Sequence, residues 1–301
     1  MDRKTAQDFD PDLLILFDAY VHGHVDRRGF LDKASRFAVG GVTAGMLLDM
    51  LSPKFAEAQQ VAKDDKRLRA EYLDYPSPQG SGKMRGYFVR PASATGKLPG
   101  VLVVHENRGL NPHIEDIARR LALDNFVAFA PDALTPLGGY PAAGEDEARA
   151  LFQKLDQAKT REDMVTAAAW LRARPECSGR IGTVGFCWGG AMANTLASRV
   201  PDLAAAVPFY GRGVTAEEAA KIKAPLLIHY AGADTGINAG WPAYETALKA
   251  AGVTYTMHMY DGAQHGFNND TTPRYDEKSA KLAWTRTIDF FNKYLRAGLE
   301  T

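Results

Sequence analysis

The chain has 301 residues, of which 46% are hydrophobic and 24% charged, with 36 basic side chains against 36 acidic. That is the composition of an ordinary globular protein, and with neither net charge nor a basic block it excludes a nucleic-acid partner. Two cysteines, Cys177 and Cys187, are too few for a disulfide-stapled scaffold; separated by a predicted strand, they are expected to be free thiols.

Residues 1–58 have a character of their own. Arg27-Arg28-Gly29-Phe30-Leu31 is followed by an apolar stretch, Phe37 to Leu48, and then by Ala56-Glu57-Ala58, a small-residue pattern of the kind that precedes signal cleavage. The apolar stretch spans 12 residues, whereas a bilayer-spanning helix needs about 20. Basic pair, short core and small-residue site resemble a bacterial twin-arginine signal, which implies export of the folded protein by the twin-arginine machinery to the periplasm or beyond. The alternative is a retained helical extension in a cytoplasmic protein, with helices over Asp12–Tyr20 and Gly29–Leu51 packed on the domain or a partner subunit. Asp2, Asp8, Asp10, Asp12 and Asp18 ahead of the pair, with Asp32 and Asp49 after it, keep that alternative open. Without residues 1–58, the domain predicted over 59–301 holds 29 basic and 27 acidic residues, again with no call for a polyanion.

From Leu68 onward strand-like and helix-like patterns follow one another. Arg69–Tyr75 and Met84–Arg90 alternate in polarity around a turn-rich segment and predict an antiparallel hairpin. Gly100–His105 is a nearly continuous apolar run, expected of a strand buried on both faces. A helix over Pro112–Asp124, a strand over Phe126–Ala130 and a helical region from Glu145 to Ala173, broken near Lys159-Thr160, come next. The strand Ile181–Val184 runs into a glycine-rich turn and a helix ending at Arg199. Strands at Leu203–Tyr210, Pro225–Tyr230 and Thr254–Tyr260, with helices at Trp241–Ala251 and Tyr275–Arg296, complete a mostly parallel sheet with helices on both faces.

The turn reads Gly185-Phe186-Cys187-Trp188-Gly189-Gly190, a G-x-C-x-G between a buried strand and a helix. It is the nucleophile elbow of the α/β-hydrolase fold with cysteine in place of serine. The turn places the thiol at a helix N-terminus, where the dipole and free N–H groups favour a thiolate. The N–H of Trp188 should face a developing oxyanion. Asp234 follows the strand Pro225–Tyr230, and His265 follows the last strand. Nucleophile, acid and histidine thus occur in the chain order of this fold, each at the carboxyl end of a strand. His265 is expected to deprotonate or ion-pair with the thiol, and Asp234 to hold its tautomer. His105, His229 and His258 fall in or at the end of strands, where hydrogen-bonded structural histidines are expected. No H-x-x-x-H or C-x-x-C spacing occurs, so neither metal nor cofactor is predicted.

With these motifs in place, the chain resembles the dienelactone hydrolase (carboxymethylenebutenolidase) family from about Gly86 to its C-terminus. The resemblance implies a Cys187–His265–Asp234 triad with Glu106 beside the cysteine. In the family this glutamate accepts the thiol proton when substrate displaces it; the alternative for Glu106 is a rim residue paired with Arg108. By the same analogy Asn107 supplies the second oxyanion N–H. Two arginines that the resemblance implies for a substrate carboxylate are absent: Asn269 stands four residues after the histidine, and Ala133 to Pro141 contain no basic residue. Arg212, Arg108 and Arg274 are the available substitutes. Tyr140, Trp188, Tyr210, Trp241 and Phe267 are aromatic candidates for the pocket wall. The expected activity is hydrolysis of a lactone, enol ester or small ester through a cysteine acyl-enzyme. A thioesterase or general carboxylesterase on the same triad, and a non-catalytic scaffold of the same fold, are the rival readings.

Overall fold

The computed structural model describes residues 4–297. Among the described residues four α-helices precede the first strand: α1 (Pro11–Val21), α2 (Arg27–Ala34), α3 (Ala44–Leu51) and α4 (Phe55–Ala58). Asp10 caps α1 with Pro11 in its first turn, and Asp26 caps α2 by accepting from the N–H of Gly29 at 2.7 Å. The single helix expected over Gly29–Leu51 is in fact two. Gly40 and Gly41, both at positive φ, turn the chain, and Thr43 caps α3 afresh. Leu13, Phe17, Tyr20, Phe30, Leu48 and Leu51 close an apolar cluster of their own.

This helical layer is tied down along its length. The N–H groups of Gln60 and Val61 donate to the Asp116 carboxylate at 3.1 and 2.9 Å, and Arg119, fully buried, donates to the Val61 carbonyl. Lys54 N–H reaches the Thr271 carbonyl at 2.8 Å. Arg27 of the arginine pair forms an ion pair with Asp146, which Tyr20 also reaches through its hydroxyl.

The hairpin is β1 (Leu68–Ser77) and β2 (Gly82–Pro91), in register from Leu68 opposite Pro91 to Ser77 opposite Gly82. Then follow β3 (Leu98–Val104), α5 (Pro112–Leu123), β4 (Val127–Pro131), α6 (Glu145–Phe152), α7 (Gln157–Arg172), β5 (Cys177–Phe186) and α8 (Trp188–Arg199). The chain ends with β6 (Ala205–Phe209), α9 (Ala216–Ala219), β7 (Leu226–Ala231), α10 (Thr235–Asn238), α11 (Trp241–Ala250), β8 (Tyr255–Tyr260) and α12 (Glu277–Leu295). The break in the long helical region lies earlier than predicted, between Phe152 and Gln157, because Asp156 caps α7 through the N–H groups of Ala158 and Lys159.

The eight strands form one sheet in the order β1-β2-β4-β3-β5-β6-β7-β8. Only β1 and β2 break its parallel run, β2 pairing antiparallel with β1 and β4. It is the α/β-hydrolase fold. Helices α7, α8 and α11 bury Met164, Leu196 and Leu248 on one face, and α5 and α12 bury Ile117, Leu121 and Phe291 on the other. Each such side chain contributes about 1.5–3 kcal/mol through burial, so both faces hold the strands in register. The carboxyl ends of β3, β5 and β7, and the loop after β8, thereby share one edge. Among the described residues, no helix is long and apolar enough to cross a membrane.

Candidate active site

Cys187 joins β5 to α8 with φ 56° and ψ −113°, a backbone conformation that L-residues rarely adopt. The glycines around it are sterically required. A Cβ on Gly185 would lie 1.9 Å from the Gly189 carbonyl oxygen, and one on Gly189 would lie 2.3 Å from that of Val104. Their absence lets α8 sit directly on β3 and lifts the thiol above the sheet edge. Cys187 stays partly exposed, whereas Cys177 is buried in the core; both are free thiols.

His265 and Asp234 stand at the same strand-end edge. His265 Nδ1 lies 2.5 Å from Asp234 Oδ2, while Asp234 Oδ1 accepts from Ile237 N–H and caps α10. One carboxylate therefore fixes both the imidazole and the loop that carries it. Among the described residues His265 Nε2 has no hydrogen-bond partner, and with the Cys187 sulfur it belongs to a cluster whose ligand atoms all lie within 4.8 Å of one another.

The third member of that cluster is His22, from the end of α1. Its Nε2 is 3.5 Å from the sulfur, and its Nδ1 lies 3.2 Å from the Asp18 carboxylate. Among the described residues this is the one group of His, Cys and acidic side chains with atoms close enough to hold a metal ion.

Burial by itself would raise the Cys187 thiol, but the charge of His265 and the hydrogen bond with His22 outweigh it and bring the group down to about 6. Burial likewise disfavours charge on the imidazoles. The Cys187 charge and the Asp234 hydrogen bond nevertheless hold His265 up at about 9, and hydrogen bonds to Asp18 and Cys187 hold His22 at about 10. For Asp18, the bond to His22 and the charge of Arg274 overcome burial and keep the carboxyl well below its usual range.

Glu106 is buried just past β3, but its partners are Asn269, which donates to it at 3.2 Å, and Arg108 at 3.8 Å. Burial pushes its carboxyl up, yet Arg108 and the other cations around it bring it below its ordinary value. Arg108 is also bound to Glu145, at 2.7 Å. No hydrogen bond joins Glu106 to the sulfur among the described residues. The N–H of Trp188 opens α8, and neither it nor that of Asn107 has an acceptor among the described residues. The Asn107 side chain donates to the Val21 carbonyl at 3.0 Å, so α1 also steadies this loop.

A cavity of about 460 Å³ opens over the sulfur, between Cys187, His265, Asp234 and Asn107 on the domain side and Asp18, His22 and His24 on the other. Its remaining wall includes Arg149, Phe152, Trp188, Tyr210, Arg212 and Ile237.

A model of the dienelactone hydrolase family matches residues 84–295. The chain belongs to this family. A second model, of YqhI-like sequences, matches residues 1–39, the segment that carries α1 and α2. A Salmonella typhi protein provisionally named a carboxymethylenebutenolidase is 34% identical over 231 residues, covering 72% of this chain and 85% of its own. An Escherichia coli K12 protein described as a hydrolase fragment, YghX, is 53% identical over 115 residues, which is 38% of this chain and 97% of that one. Among solved structures, a Klebsiella pneumoniae protein provisionally named a dienelactone hydrolase matches with a TM-score of 0.64 at 31% identity, over 75% of this chain and 100% of its own. A dienelactone hydrolase-like promiscuous phosphotriesterase from metagenomic libraries matches at 0.65 and 27% identity, over 76% and 99%.

Of the predicted wall residues, Trp188, Tyr210 and Arg212 line the cavity. Three others do not. Tyr140 is turned to Glu145 by its hydroxyl at 2.8 Å, Trp241 packs among Tyr230, Tyr244 and Tyr255, and Phe267 is fully buried between Tyr210 and Tyr260. Arg274, a candidate for a substrate carboxylate, is buried and committed to Asp18 at 2.9 Å. His105 and His229 are structural, bonded to Ala133 N–H and to Thr287 and Tyr260. Sequence reasoning missed Asp18, His22, His24 and Arg149. The (i, i+4) spacing of Asp18 and His22 marks them as a pair on one helix face, but not what the face meets.

Proposed function

We propose that this member of the dienelactone hydrolase family hydrolyses lactones, enol esters or small esters through an acyl-enzyme on Cys187. The observation that carries the reading is a thiol held on a strained elbow beside a histidine whose far nitrogen is bound to a carboxylate. The Cys187 thiolate attacks the carbonyl carbon, and the electron pair moves to an oxygen met by the N–H groups of Trp188 and Asn107. Collapse expels the alcohol or enol, which takes a proton from an imidazolium. Water, deprotonated by the resulting imidazole, attacks the thioester and releases the acid and the thiolate.

A cavity of about 460 Å³ suits a small substrate. Asn269 is held by Glu106, and Arg108 by two carboxylates, so neither is free for a substrate anion. The exposed Arg212 guanidinium on the cavity wall has no partner among the described residues and is the group we assign to a substrate carboxylate. The test is a panel of enol lactones with and without a carboxylate, p-nitrophenyl acetate and acyl thioesters, with mass analysis of quenched reactions. An acyl adduct on the Cys187 peptide and loss of turnover in Cys187→Ala are expected. Full turnover in that variant refutes the reading, and a preference for thioesters moves the substrate class.

A further inference from the structure

The cysteine faces two imidazoles, and only His265 is accounted for by the triad. His22 lies 165 residues away in the chain, in a segment ahead of the dienelactone hydrolase match, yet its Nε2 stands 3.5 Å from the reacting sulfur. Its arrangement resembles that of His265, with Nε2 toward the sulfur and Asp18 in the place of Asp234, but Nδ1 bonds the Asp18 backbone carbonyl at 2.8 Å and stands 3.2 Å from its carboxylate. Asp18 is itself held by buried Arg274 at 2.9 Å. The two rings meet edge to face, with centroids 4.7 Å apart. The groups facing His22 are Asp18 and His24 from its own segment, Cys187 and His265 from the domain, and Arg274 through Asp18. The segment walls the site without filling it, since the cavity over the sulfur remains open with His22 and His24 on its rim.

We propose that residues 4–61 are part of the active site and that His22, oriented by Asp18, is a second catalytic acid–base group for Cys187. The proposal rests on the acyl-enzyme reading above. At rest, one thiolate is shared by two imidazolium groups. Acylation forms the carbon–sulfur bond and removes the sulfur's charge, which leaves two cations in edge contact. Their repulsion drives one proton onto the departing alkoxide or enolate. One neutral imidazole and one imidazolium then remain. The neutral ring takes a proton from water as hydroxide attacks the thioester; the carbon–sulfur bond breaks and the thiolate returns between two imidazolium groups. The carboxylic acid gives its proton to solvent. Ester and water are consumed, acid and alcohol are made, and the protons balance.

The test uses the full chain. In His22→Gln the pH midpoint for iodoacetamide alkylation of Cys187 is expected to rise from about 6 by about one unit or more, as removal of a neighbouring cation requires. The acylation burst with p-nitrophenyl acetate should slow by about 10²-fold or more, the usual share of an acid–base group. Asp18→Asn should give a smaller shift in the same direction, with its fold checked by thermal unfolding. Added imidazole should restore part of the burst in His22→Gly. If His22→Gln alkylates with the wild-type midpoint and acylates at the wild-type rate, the proposal is wrong. Absence of any acyl adduct on wild-type Cys187 would instead remove the acyl-enzyme reading, while the alkylation midpoints would still report whether His22 acts on the sulfur.

Discussion

The Gly189→Ala substitution tests the elbow at its tightest point. The added Cβ would lie 2.3 Å from the Val104 carbonyl oxygen, 2.5 Å from that of His105 and 2.7 Å from the Val104 carbonyl carbon. All three are backbone atoms, and Val104 is locked opposite Gly185 in the β3–β5 ladder, so no side chain can swing away. Restoring an ordinary carbon–oxygen contact requires α8 and β3 to separate by about 1 Å. Overpacking of that kind costs about 1–3 kcal/mol, which lowers the melting temperature by roughly 2–10 °C in a chain of this size. The same shift moves the Asn107 loop away from the sulfur, and a misplacement of about 1 Å costs on the order of 10²-fold in rate. Differential scanning fluorimetry and kcat/KM on p-nitrophenyl acetate measure both effects. Gly96→Ala, where the methyl meets open space, is the control expected to match the wild type. If Gly189→Ala keeps both its melting temperature and its kcat/KM, the account of the elbow fails.

The thiolate–imidazolium arrangement sets a pH window. With the Cys187 thiol lowered to about 6 and His265 raised to about 9, the pair is intact between those values. Below the first the sulfur gains a proton; above the second the imidazole loses one. Alkylation of Cys187 should therefore titrate near pH 6, and a midpoint near the ordinary thiol value contradicts the geometry. Cys177, buried and with its thiol pushed up, should stay unlabelled under the same conditions. Asp234→Asn should lower kcat/KM by about 10²–10⁴-fold through loss of the imidazole's orientation, with little change in melting temperature because asparagine still caps α10. The proposed role of His22 requires residues 1–58 to be retained, which the intact mass of the protein from its own host would show. A mature species beginning after Ala58 would lack His22 and should show the slow acylation expected of His22→Gln.

The dominant features of the domain were legible because they follow from local rules. Short continuous apolar runs rich in valine, such as Val101–Val104, read as strands covered on both faces, and the strand–helix alternation leaves few topologies. Gly185 and Gly189 announce the elbow because only a missing Cβ lets backbone pass so near backbone, a constraint written within five residues. Asp234 and His265 follow from it, since strand ends in a parallel sheet meet at one edge. The pocket wall obeys no such rule. Tyr140, Trp241 and Phe267 have the same aromatic character as Trp188 and Tyr210, and which of them faces the cavity depends on packing between elements distant in the chain. The N-terminal segment shows this most clearly. A paired arginine and an apolar stretch have the same local pattern in an export signal as in helices docked on a domain. Ion pairs such as Arg274–Asp18 and Arg27–Asp146, made with residues far along the chain, accompany the docking of this segment that places His22 beside the sulfur. Local rules marked out the cysteine, the histidine and the carboxylate as a group; tertiary docking alone decided that a second imidazole would stand beside the sulfur.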